Sequence, residues 1–148
     1  DNRPALAQVQ VDLRLRQVHG DFHQWNILFE AGDELHVLDR SRGSFGEPAD
    51  DVTCITVNYA FEAMRTTGEL AGPFAELYRR FWSRYLEQTA DEELLAVAPP
   101  FFAFRGLVLA NPVWYPDLDP ERREQLIGLV EHVLDRERLD PERLDDGL

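Results

Sequence analysis

The chain has 148 residues, 28 acidic against 15 basic, for a net charge of −13. That balance excludes a surface built to track nucleic-acid phosphates; it suits a cationic ligand, or simply a well-solvated exterior. The longest uncharged runs are 11 residues, well short of the roughly 20 needed to cross a bilayer, and the one cysteine, Cys54, excludes a disulfide framework or a multi-thiolate zinc site.

These numbers describe a single globular domain over 1–148, with neither a membrane nor a nucleic acid as partner and a cytoplasmic setting expected. The opening Asp1-Asn2-Arg3-Pro4 has neither an initiator Met nor a signal-peptide pattern, and reads as a piece of something longer. Residues 5–15 alternate apolar and polar through Val9, Val11, Leu13 and Leu15, a strand signal, yet their Ala- and Leu-rich start tolerates a helix. An extended stretch is expected near Gln17-Val18-His19. Two short apolar runs, 27–30 and 35–39, flank Ala31-Gly32-Asp33-Glu34 and predict a β-hairpin.

From Pro48 the pattern turns helical, with Pro in the first turn and Asp50 and Asp51 where the helix dipole favours acids. Val52, Cys54, Ile55, Val57, Tyr59, Ala60, Phe61 and Met64 are apolar on nearly every face, as in a buried central helix that ends at Gly68. A second helix carries the stripe Phe74, Leu77, Tyr78, Phe81, Trp82, Tyr85 and Leu86. A third segment opens at Asp91-Glu92-Glu93, is expected to break at Pro99-Pro100, and resumes from Phe101 to Ala110. Asp119-Pro120 caps a last helix with the stripe Leu126, Ile127, Leu129, Val130, Val133 and Leu134. The tail from Leu139 reads as acidic and loose.

The residues that suggest chemistry cluster around the hairpin. Asp21 and Asn26 are five apart before its first strand, and Asp39 ends its second strand, 18 beyond Asp21. Antiparallel strands return the chain to its starting end, so the three can meet. Two carboxylates and an amide carbonyl are hard oxygen ligands suited to magnesium, or one carboxylate can accept the proton of an attacking hydroxyl.

His19-Gly20-Asp21, with Asn26 five residues after the Asp, then Asp39, then Gly46-Glu47-Pro48-Ala49-Asp50-Asp51, resembles the catalytic core of the aminoglycoside phosphotransferase and choline kinase superfamily, itself similar to the protein kinases. The resemblance implies an α+β, mainly helical fold: the C-terminal lobe of a kinase-like protein, with a small β-hairpin at the catalytic end. It implies transfer of the γ-phosphoryl group of ATP (or GTP) to a hydroxyl of a small molecule. Asp21 would be the base, and Asn26 and Asp39 would hold Mg2+ on the nucleotide. His19, Gly20 and Asp51 would support the loop, with Asp51 favoured over Asp50 as the acceptor that fixes it; His23 lies near with no firm role.

Two departures stand out. The acid that often follows the metal-binding Asp by two positions is replaced in Asp39-Arg40-Ser41-Arg42, leaving Arg40 or Arg42 to contact phosphate or to pair with surface acids. No Gly-rich loop precedes His19, and the chain contains no lysine. The expectation is therefore a lobe lacking its N-terminal nucleotide-binding partner, inactive alone and open to self-association through the uncovered face. Two other readings compete: a metallohydrolase built on His19, Asp21 and His23, with His36 in a strand and His132 exposed on the last helix as unsuitable further ligands, or a non-catalytic kinase-like binding module. Substrate choice is not written in a motif. Glu62, Glu69 and Glu76 could favour a cation or merely be solvated, and Asn111-Pro112-Val113-Trp114-Tyr115-Pro116 has no derivable role.

Overall fold

The computed structural model describes residues 14–32, 34–40 and 44–144; the segment 5–13 of the ambiguous N-terminal pattern and Arg42 lie outside them. The chain is α+β and mainly helical. Among the described residues four short strands form two antiparallel pairs: β1 (Arg16–Gln17) with β4 (Phe45–Gly46), and β2 (Ile27–Glu30) with β3 (Glu34–Val37). The second pair is the predicted hairpin, in the register Ile27 to Val37 and Phe29 to Leu35, with Gly32 in the turn at φ +93°. Ile27, Phe29, Leu35 and Val37 therefore share one face. That face is exposed, Phe29 by 70% and Leu35 by 50%.

Four helices follow: α1 (Pro48–Thr67), α2 (Gly72–Thr89), α3 (Leu94–Ala110) and α4 (Pro120–Leu134). Helix α1 is the central helix that its all-round apolar pattern predicts, packed against both α2 and α3. Its buried polar side chains turn back on their own helix. Thr53 and Thr56 donate to the carbonyls of Ala49 and Val52, and Asn58 to that of Cys54, each at 2.7 Å. These bonds remove the cost of burying an unpaired polar group. Gly68 ends the helix in the left-handed conformation, as expected.

Other expectations fail for identifiable reasons. Helix α3 runs straight through Pro99-Pro100 instead of breaking. Pro99 cannot donate to the carbonyl of Leu95, and the backbone N–H of Leu139 takes that place at 2.8 Å. The same bond draws in the tail. Leu139 and Leu144 are buried in the core, so the C-terminal stretch is packed at least to Leu144. In α2 the stripe is narrower than predicted, with Tyr78 and Trp82 fully buried and Leu77 exposed. In α4, Ile127 and Leu134 face outward while Leu126, Leu129, Val130 and Val133 fill the core. His132 is half-buried rather than exposed. Helices α3 and α4 approach closely at Gly106, where an added Cβ would meet Val130 Cγ2 at 2.4 Å.

Among the described residues no helix is long and apolar enough to cross a membrane.

Candidate active site

The loop 19–26 leaves β1, makes a turn and enters the hairpin through a 3-10 turn, Gln24–Asn26. Gly20 adopts φ +86°, a conformation that a Cβ would strain. This twist aligns two successive backbone N–H groups on one carboxylate. His19 N donates to Asp51 Oδ2 at 2.5 Å and Gly20 N to Asp51 Oδ1 at 2.8 Å. Asp51 is thus the member of the Asp50-Asp51 pair that grips the loop backbone. The imidazole of His19 lies between backbone groups, Nε2 at 2.7 Å from the carbonyl of Leu38 and Nδ1 at 3.3 Å from the N–H of Asp21. Both ring nitrogens are thereby engaged in tying the loop to the end of β3.

Asp50 serves a different partner. Arg105, reaching from α3 with its side chain 8% exposed, donates Nη1 to Asp21 Oδ1 at 2.8 Å. Its Nη2 donates to Asp50 Oδ1 at 2.7 Å and to the Gly20 carbonyl at 3.0 Å. Burial disfavours the cation, but the Asp50 and Asp21 carboxylates outweigh it and hold the Arg105 pKa above its ordinary value. Sequence reasoning missed this residue. The available signal is that Arg105 is the single charge between Leu94 and Pro116, and a charge buried with a helix requires partners.

His23 Nε2 lies 3.8 Å from Asp21 Oδ2 and 3.4 Å from Asn26 Nδ2. Asn26 is buried, and its Nδ2 donates to the Asp21 carbonyl at 3.0 Å, which leaves the amide oxygen as the atom offered to a cation. Its own backbone carbonyl accepts from Leu38 N at 2.8 Å, so Asn26 and Asp39 stand at neighbouring ends of the hairpin. Asp39 is exposed, in the left-handed region at φ +55°. An amide oxygen and a carboxylate at one hairpin end fit a hard divalent ion completed by phosphate oxygens and water. Arg40 donates Nε to the Val18 carbonyl at 3.2 Å.

The three side chains of the metallohydrolase alternative do not form a ligand cluster. The metal-compatible grouping among the described residues is Glu30, Glu34 and His36, on the opposite hairpin face from Ile27 and Phe29.

A chamber of about 460 Å³ opens on Asp21, walled by Trp25, Phe104, Arg105, Val108, Trp114 and Tyr115. Cys54 also lines it; burial pushes its thiol up to about 12, so it stays un-ionised near neutrality. Trp25, Trp114 and Tyr115 also line an outer cavity of about 650 Å³ that contains Glu62, Asp117, Asp119 and Glu121. Of the three acids considered from sequence, only Glu62 is in a cavity wall; Glu69 and Glu76 are on the exterior. No protein-family model, curated protein or solved structure matches the chain.

Proposed function

We propose that this chain is the catalytic lobe of a cytoplasmic small-molecule kinase of the aminoglycoside phosphotransferase type, transferring the γ-phosphoryl group of ATP or GTP to an acceptor hydroxyl. The observation that carries the reading is the double clamp on one loop: Asp51 holds the backbone at His19 and Gly20 while Arg105 holds the Asp21 carboxylate. Positioning is most of what phosphoryl transfer asks of a protein. With Oδ1 fixed by Arg105, Asp21 orients the acceptor hydroxyl and takes its proton on Oδ2. Asn26 Oδ1 and the Asp39 carboxylate would hold Mg2+, which supplies neutralisation of the phosphate charge.

The exposed apolar face of Ile27, Phe29, Leu35 and Val37 adjoins Asp39 in the chain and offers a nucleotide base a surface to lie against. With no lysine in the chain, the remaining phosphate-gripping groups belong to a nucleotide-covering lobe outside it.

Calorimetry with Mg-ATP tests the reading, on this chain and on the chain extended upstream. Binding by the extended protein that disappears in Asp39→Ala supports it. Absence of nucleotide binding in both refutes it, and zinc binding lost on replacing His19 and His23 would favour the metallohydrolase.

A further inference from the structure

Asn58, on α1, lines the chamber that opens on Asp21, and is only 6% exposed. Its Nδ2 donates to the Cys54 carbonyl at 2.7 Å. A carbonyl can only accept, so this bond fixes which end of the amide is the nitrogen. Among the described residues nothing donates to the other end, the amide oxygen. That oxygen is not sealed inside the core either, and the space it meets is the chamber. Thr53 and Thr56 on the same helix are also buried, but they spend their hydroxyls on backbone carbonyls and do not reach the chamber. Asn58 does the same with its nitrogen and has an acceptor left over. A polar group held this deep without a partner lowers stability unless water or a ligand donates to it.

The surrounding charges set the sign of the ligand. Asp21 and Asp50 share one cation, Arg105, at 2.8 and 2.7 Å, so the group keeps a net negative charge. The outer cavity shares Trp25, Trp114 and Tyr115 with the chamber, and its walls set Glu62, Asp117, Asp119 and Glu121 against Arg65 and Arg122. Trp25 and Trp114 are 75% and 70% exposed, and an indole face attracts a cation. These features favour a cation without choosing its kind, and Asn58 makes that choice. An amide oxygen bonds an ammonium that carries N–H and gains nothing from a quaternary one. We infer that Asn58 is the specificity-determining residue of the chamber. It selects a protonated amine with N–H groups, its apolar body against Trp25 and Trp114, over a quaternary ammonium of the same body. That this amine is an amino alcohol whose hydroxyl reaches Asp21 rests on the function proposed above; the selection of N–H rests on the chamber wall alone.

Calorimetric titration of this chain compares three probes that share one body. Phenylethanolamine is protonated at neutral pH. Its N,N,N-trimethyl derivative keeps the charge and loses the N–H, and styrene glycol keeps hydrogen-bond donors and loses the charge. Phenylethanolamine should bind about tenfold more tightly than either, or better. In Asn58→Leu, close in shape but without the acceptor, its lead over the trimethyl compound should shrink to within about threefold. The trimethyl compound should bind that variant as before, which reports an intact chamber. Asn58→Thr withdraws the acceptor in the helix's own fashion, its hydroxyl turned back to the Cys54 carbonyl as those of Thr53 and Thr56 turn to theirs, and should lose the lead likewise. Equal binding of the three probes, binding of none, or a lead that survives in whichever variant folds overturns the inference. The kinase reading is tested on a different protein, by Mg-ATP calorimetry on the chain extended upstream. No nucleotide binding there, with amine selectivity here, removes the kinase and keeps the role of Asn58. Nucleotide binding there, without amine selectivity here, removes only the role of Asn58.

Discussion

The backbone N–H of Leu139 donates to the carbonyl of Leu95, four residues before Pro99, and so completes a helix that the proline would otherwise leave with an orphaned acceptor. Proline within a helix removes one bond of the ladder, and here the C-terminal segment restores it. Leu139→Ala should cost about 2–5 kcal/mol, the range for truncating a buried leucine. Leu139→Pro loses the N–H donor as well as the leucine side chain, and should cost about 1–3 kcal/mol more than Leu139→Ala for the stranded Leu95 carbonyl. Urea melts of both variants check this; an unchanged midpoint would show that the tail adds nothing to α3.

Arg105 links α3 to Asp21 and Asp50. In Arg105→Met two partly buried carboxylates face each other without a cation. Breaking a fully buried pair costs about 3–5 kcal/mol, and with Asp50 29% exposed the expected loss is about 2–3 kcal/mol. Arg105→Lys keeps the charge but not the fork that reaches both acids and the Gly20 carbonyl, so it should recover only part of the stability. Thermal melts of the two variants side by side decide this.

The first helix and the start of the third are tied together by Arg14, whose guanidinium donates to both oxygens of Asp91 at 2.7 Å and also reaches Glu47 and Glu93. The bond from Arg14 holds the Asp91 carboxyl below its usual value of 3.8. Depressed in the folded state, this carboxyl contributes stability above its unfolded pKa and loses it as the pH falls through the folded one. Arg14→Gln should therefore be less stable than the parent at pH 5, with the gap closing toward pH 2, as read by urea melts across that window.

At Gly106 two effects oppose each other. Alanine is the better helix former by about 1 kcal/mol. A Cβ placed 2.4 Å from Val130 Cγ2, however, forces helices apart at a cost of about 1–3 kcal/mol. Gly106→Ala should be destabilising, and pairing it with Val130→Ala should return part of the loss. A double-mutant cycle measures that coupling, and strict additivity would mean that the helices do not meet there.

Much of the backbone plan is legible in local chemistry. The hairpin follows from two apolar runs around a glycine turn, and α1 and α4 from a first-turn proline with an acidic cap and periodic apolar residues. Helix α3 and the tail are not legible, because the acceptor orphaned by Pro99 is satisfied by a residue 44 positions from Leu95, a pairing that no local pattern encodes. The same limit applies to the site. Spacing brings Asp21, Asn26 and Asp39 to one end of the hairpin, and the family resemblance favours Asp51 as the loop's anchor. Arg105 and the wall at Trp114 join them from distant helices and a turn that only packing can place, and a lone charge in an apolar helix was the sole hint.

Asp50 and Asp51 are consecutive residues in the first turn of α1. One seizes the main chain of the loop at His19 and Gly20, the other the arginine that seizes Asp21. Asp21 and the loop that carries it are thereby surveyed from a single benchmark. When that turn of helix drifts, the peptide and the guanidinium drift with it, so thermal motion relocates the constellation without shearing it. Small errors in helix packing become errors of position rather than of alignment, and alignment is the quantity to which the in-line displacement proposed above would be most sensitive.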